Sequence, residues 1–170
     1  FTGVIKNVTL KNAIIEANLY VQIFDTSVIL INCKAKEFST AWYGAKRTNA
    51  DNWKQLQTSS DICITNGIYT LYVADSYTYS KEWTFKNIYA GNYVGWSLHL
   101  KGDGNVWNNK TELNYTGNYY AIGLQVAKGV VIEGIKIKGN YTPPDNNGVA
   151  YYNTTFPLKA YHAGIMIDYS

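Results

Sequence analysis

One short pattern recurs along the chain: apolar, any, apolar, any, Asn or Gly, then two more alternating positions. It runs through Val8–Ile15 with Asn12 at its bend, Val28–Ala35 with Asn32, Ile62–Tyr69 with Asn66, and Trp83–Ala90 with Asn87. With glycine at the bend it returns at Val130–Ile137, around Gly134. Successive starts lie 20, 34, 21 and 47 residues apart, so the long intervals read as one or two turns plus loops. A further alternating segment precedes three of the units, at Leu19–Ile23, Leu71–Val73 and Ile122–Val126. Period-two alternation places every second side chain on one face. A single short strand cannot bury that face, but copies stacked at roughly 4.8 Å can. Asn and Gly suit the bend because both tolerate left-handed backbone, and stacked Asn amides bond one another. The expected arrangement is one line of Asn12, Asn32, Asn66 and Asn87 with Gly134. Leu10, Leu30, Ile64, Phe85 and Ile132 would then form one buried row, with no useful length of helix. An antiparallel sandwich, the alternative all-β architecture, has no reason to repeat Asn at a fixed strand offset.

Tyr120 to Gly139, YAIGLQVAKGVVIEGIKIKG, resembles a turn of the right-handed parallel β-helix of pectin-lyase-like proteins. As architecture the resemblance extends over residues 4–35, 62–100 and 119–139. It implies an all-β fold, a right-handed parallel β-helix (solenoid) segment with loop insertions. That family includes polysaccharide lyases, polygalacturonases and phage tailspikes that contact host glycans. The implied function is a structural, glycan-binding β-helix of the tailspike, tail-fibre or cell-surface receptor-binding kind, located outside the cell or on a virion. A homotrimer is implied by the same resemblance. The alternative is a secreted polysaccharide lyase or glycoside hydrolase with active groups partly outside the segment. Residues 1–170 read as a single domain; Phe1 at the start and Met166 as the sole Met read as a piece of a longer chain.

Three stretches break the repeat, at about 36–61, 101–119 and 139–160, and loops on a rigid stack are where binding usually sits. Aromatic residues make up 15% of the chain, a supply of flat faces for sugar C–H groups to pack on. The glycan-binding candidates are Trp42, Tyr43, Arg47, Trp53 and Trp107. Fifteen basic against twelve acidic side chains leave +3, too diffuse for nucleic acid. The apolar runs are too short for membrane insertion by a helix.

Catalysis has thin support. Glycoside hydrolysis needs two carboxylates, roughly 5 Å apart for retention or about 6.5–9.5 Å for inversion. Asp25 and Asp75 each stand two residues past a first strand segment. At two turns apart they would lie roughly 10 Å from each other. Asp-Thr and Asp-Ser contexts equally describe turn residues bonding their own backbone. The acidic clusters and strand-borne arginine of the enzyme families are missing, and the outward positions Tyr20, Gln22, Thr70, Tyr72, Gly123 and Gln125 are neutral. His99 and His162 lack neighbours at metal-ligand spacing, and Asp103-Gly104-Asn105 is only a fragment of a calcium loop, so neither metal nor cofactor is expected. Cys33 and Cys63 are expected unbonded, pointing different ways, with Cys63 outward. Five Asn-x-Ser/Thr sites occur, at Asn7, Asn109, Asn114, Asn140 and Asn153, with Asn7 expected in a strand.

Overall fold

A computed structural model describes residues 3–85, 98–104, 111–118, 120–125, 130–139 and 165–168. Strands dominate, and every ladder among these residues is parallel, which removes the antiparallel sandwich. The chain opens with β1 (Thr9–Lys11), β2 (Ile29–Ile31) and β3 (Phe38–Ser39). A short 3₁₀ turn (Thr40–Tyr43) and one helix, α1 (Trp53–Asn66), follow. Next come β4 (Thr70–Tyr72), β5 (Tyr77–Tyr79) and β6 (Trp83–Phe85), then β7 (His99–Lys101), β8 (Glu112–Tyr115) and β9 (Ile122–Gln125). The last described strands are β10 (Val131–Glu133), β11 (Lys136–Lys138) and β12 (Ile165–Asp168).

The pairing has a period of three. β10, β7, β4 and β3 form one sheet, β11, β8 and β5 a second, and β12, β9 and β6 a third; β1 and β2 pair by themselves. The chain therefore visits the same three sheets in the same order on each pass. Alternation sends Leu71 and Leu100 inward and leaves Thr70 and His99 toward the outside. One hydrophobic core runs through all the sheets. It is unusually aromatic: Phe38 meets Trp42 at 4.9 Å between ring centroids, and Trp83 meets Phe85 at 5.1 Å. Buried tyrosines discharge their hydroxyls inside the core, Tyr43 donating to Val28 O (3.0 Å) and Tyr79 to Ala121 O (3.1 Å). Tyr77 lies 3.0 Å from Thr40 Oγ1, and burial pushes its hydroxyl up to about 12. Much of the aromatic content is thus core material rather than binding surface.

Residues 53–66, expected to end in a strand, form a helix. Leu56, Ser59, Ser60 and Cys63 are its buried stripe at helical spacing. The two serines bury without loss because Ser59 donates to Gln55 O (2.8 Å) and Ser60 to Gln57 O (2.9 Å). Gly67, at φ 65°, closes the helix, with Ile68 N donating to Cys63 O at 2.9 Å. Amide side chains of and beside the helix take the place of neighbouring strands. Gln57 accepts from Thr84 N (3.0 Å) and donates to Thr84 O (2.8 Å), bonding β6 as a strand residue would. Asn52 gives its backbone N–H to Thr78 O of β5 (2.9 Å), and Asn66 donates to Leu30 O of β2 (3.2 Å) while accepting from Cys33 N (2.8 Å).

The Asn line holds only in part. Asn12 and Asn32 are left-handed, at φ 55° and 53°, and Asn32 Nδ2 donates to Asn12 Oδ1 at 2.7 Å. Asn66 continues the line as a helix residue bonding backbone. Gly134 is left-handed but follows β10, in another sheet, and Asn87 lies outside the described residues. The expected single row dissolves likewise: Leu10 pairs with Leu30, Ile64 is helical, Phe85 pairs with Leu124 and Ile132 with Leu100. Asn7 occupies a left-handed bend rather than a strand. Cys33 and Cys63 are both free and both buried, Cys63 inside the helix rather than outward. Of the expected insertions, 36–61 carries β3, the 3₁₀ turn and most of α1, and 101–119 contains β8; 140–160 lies outside the described residues. No described helix is long and apolar enough to cross a membrane.

Candidate functional site

The sequence-derived candidates scatter. Trp42 and Tyr43 are each 1% exposed; Trp42 donates its indole N–H to Asn18 O (2.9 Å), and both rings fill the core. They cannot meet a ligand from outside. Trp53 is half-buried, donates to Glu82 O (3.0 Å), and has the Lys81 ammonium 4.6 Å above its ring. One face of that ring is therefore already occupied. Arg47 places two guanidinium nitrogens on Asp75 Oδ1, at 3.0 and 2.6 Å, so its charge is met at the surface. Trp107 lies outside the described residues.

Asp25 and Asp75 are each engaged within their own turn. Asp25 follows Phe24, whose parallel partner is Ile5, whereas Asp75 follows β4, whose partners are β3 and β7. Asp25 accepts from Ser27 N (3.0 Å), and bonds from the Ser27 backbone and hydroxyl hold its carboxyl below the usual range. Asp75 accepts from Ser76 N (2.7 Å). Both are turn formers. Among the described residues no group of three His, Cys, Asp or Glu is placed to hold a metal ion.

A different constellation assembles on the outer side of the four-stranded sheet. Asn18 Oδ1 accepts from Tyr20 N (2.8 Å), a local turn that presents the Tyr20 ring, 59% exposed. That ring meets Tyr72 of β4 edge-on, with centroids 5.8 Å apart. The two hydroxyls lie 2.8 Å from each other. Both also reach Asp103: Tyr72 donates to Oδ1, and Tyr20 lies 3.1 Å from Oδ2. Burial, then the bonds to Asp103 and Tyr20, raises the Tyr72 hydroxyl far above its ordinary value, so it stays protonated and acts as a donor.

Asp103 is held by its neighbours. Gly102 N donates to Glu133 O (2.8 Å), Gly104 N to Gly134 O (2.7 Å), and Asp103 N to Thr111 Oγ1 (2.9 Å). All three backbone donors of the turn are therefore spent, and the carboxylate projects from a fixed mount. Along the same sheet face, Lys101 pairs with Glu37 (3.6 Å) and His99 with Glu133 (2.8 Å). Sequence reading already placed Tyr20 and Tyr72 outward but treated that face as neutral. The acid that completes it lies 31 residues from Tyr72, in a turn dismissed as a calcium-loop fragment.

No family model, curated protein or solved structure matches the chain.

Proposed function

We propose that this protein is a structural, glycan-binding parallel β-solenoid whose saccharide contact is the Tyr20–Tyr72–Asp103 face. The pass-by-pass return of the chain to three parallel sheets supports the solenoid, and a right-handed coil follows from the strong preference of parallel crossovers for that hand. The observation that carries the binding role is Tyr20: an exposed aromatic ring beside the Asp103 carboxylate, presented by a local turn and packed edge-on against Tyr72 of β4. Such a face offers C–H packing and hydroxyl recognition together. A tailspike, tail-fibre or cell-surface setting, outside the cell or on a virion and as a homotrimer, goes with this reading and rests on the resemblance of residues 120–139.

The test is a glycan-binding measurement on the protein with parallel assay for product release. Tyr20→Ala is expected to weaken binding by about 1 kcal/mol or more, the scale of a lost aromatic contact. Asp25→Asn with Asp75→Asn is expected to leave binding unchanged. Chain cleavage by the wild type that disappears in Asp103→Asn would replace the binding reading with the enzyme reading, since loss of an acid or base costs roughly a hundredfold or more in rate.

A further inference from the structure

We infer that the Tyr20–Tyr72–Asp103 face selects saccharides without anionic groups, taking uncharged and amino sugars and rejecting uronates; the inference rests on the glycan-binding reading above. It starts from proton counting. Each tyrosine hydroxyl has one hydrogen. Tyr72 gives its hydrogen to Asp103 Oδ1, so Tyr20 has two acceptors for its own: Asp103 Oδ2 at 3.1 Å and the Tyr72 oxygen at 2.8 Å. The nearer acceptor is Tyr72. A ligand donor arriving at Oδ2 therefore displaces nothing of value, because the Tyr20 hydrogen turns to the Tyr72 oxygen and no group is left unsatisfied. A carboxylate has about four lone-pair sites, and among the described residues two side-chain donors reach this one. The free sites call for a donor, which a sugar hydroxyl or ammonium supplies and a sugar carboxylate at neutral pH does not.

Charge points the same way. The face carries Glu37, Asp103 and Glu133 against Lys101, with His99 beside Glu133. Lys101 is committed to Glu37 and His99 to Glu133, while no cation among the described residues pairs with Asp103. Arg47, one of the glycan-binding candidates, is committed to Asp75. A uronate seated on Tyr20 would thus bring a second carboxylate toward Asp103, which no described cation pairs with. Asp103 is also unable to withdraw, since its turn is fastened at Gly102, Asp103 and Gly104.

The experiment uses ligand pairs in which a small substituent removes the charge. Oligogalacturonate is compared with its methyl ester, and glucosamine oligomers with their N-acetylated forms, by titration calorimetry at low salt. A panel of neutral hexose oligomers is run beside them. The expected result is binding of neutral and amino forms, with the galacturonate acid at least about tenfold weaker than its ester, the scale of one unscreened like charge near the surface. Asp103→Asn, checked for an unchanged thermal midpoint, should shrink that gap severalfold. Tyr20→Phe, which keeps the ring and removes the competing hydrogen, should preserve it. If the acid form binds as tightly as the ester, the selectivity is overturned while glycan binding stands. A gap that Asp103→Asn leaves intact overturns the assignment to this carboxylate. If no ligand of either charge and no neutral hexose oligomer binds, the glycan reading itself falls, and this inference with it.

Discussion

Residues 5–39 and residues 70–138 both pair strands in parallel, yet they turn corners with different residues. In the first region partners recur at nearly constant offset: Ile5 with Phe24, Thr9 with Ile29, Ile14 with Lys34. Constant turn length puts like residues above one another, so an Asn at the corner meets an Asn, and Asn32 bonds Asn12. In the second region the offset runs from 24 residues, Leu113 to Ile137, to 43, Ile122 to Ile165, once β12 is included. Corners there no longer align by sequence, and main chain meets main chain. A Cβ placed on Gly134 would lie 2.4 Å from Gly102 O. The outer surfaces differ as well. Ile29, Ile31 and Ile14 stand exposed in the first region, whereas the second carries the His99–Glu133 and Lys136–Glu112 pairs, and Lys101 reaches back to Glu37 of the first.

The comparison breaks first, if it breaks, in the depth of the core. Trp83 is fully buried in the second region and donates to Ser60 Oγ (3.1 Å), while Leu10 in the first is half-buried. Trp83→Ala is expected to cost about 3–5 kcal/mol and Leu10→Ala well under half of that, read from urea denaturation. Equal losses would mean that the core is no shallower at Leu10 than at Trp83. The corner rule gives a smaller effect. Gly67 and Gly134 share almost the same φ, 65° and 66°, but a Cβ at Gly67 meets nothing within 4 Å. Gly67→Ala should cost about 1 kcal/mol from backbone strain alone, and Gly134→Ala about 2–4 kcal/mol because a carbonyl must also move. The smallest effect sharpens the role of the Asn corner. Asn32→Ala loses both the amide bond and the tolerance of φ 53°, about 1 kcal/mol, whereas Asn32→Gly restores the backbone and should fall within roughly 0.5 kcal/mol of wild type. A thermal midpoint as low for Gly as for Ala would show that the amide bond, which both variants lose, outweighs the left-handed bend.

These contrasts also mark what the sequence could reveal. Strands at residues 9–11, 29–31, 83–85 and 131–133 follow from period-two alternation, and parallel stacking follows from repeating it around a bend residue. The helix was hidden because Ile62 and Ile64 alternate like a strand. Its true buried stripe, Leu56, Ser59, Ser60 and Cys63, is half serine and does not register as apolar. Asn66-Gly67 then reads as a strand bend when it is a helix end. Tyr20 and Tyr72 were legible as outward residues, but their meeting with Asp103 depends on the register between turns of unequal length, and no local spacing encodes that. Trp42 and Tyr43 misled for the opposite reason. They lie in a stretch that breaks the repeat, yet the 3₁₀ turn folds it back into the core.

The amides at Asn52, Gln57 and Asn66 have a consequence for the behaviour of this protein in company. A parallel sheet edge is a template on which any extended chain can lay down a strand, and soluble proteins need a device to stop it. β2, β5 and β6 would each offer such a template toward the helix. Gln57 occupies both the donor and the acceptor of Thr84, Asn52 holds Thr78 O, and Asn66 covers Leu30 O and Cys33 N. Gln57 and Asn66 do this with side chains of the helix, and Asn52, the residue before it, with its own N–H and side-chain amide, so the strand edges are satisfied without a further strand laid beside them. The helix therefore ends strand-by-strand growth inside the molecule, and its loss would expose sticky β surface as well as lowering stability.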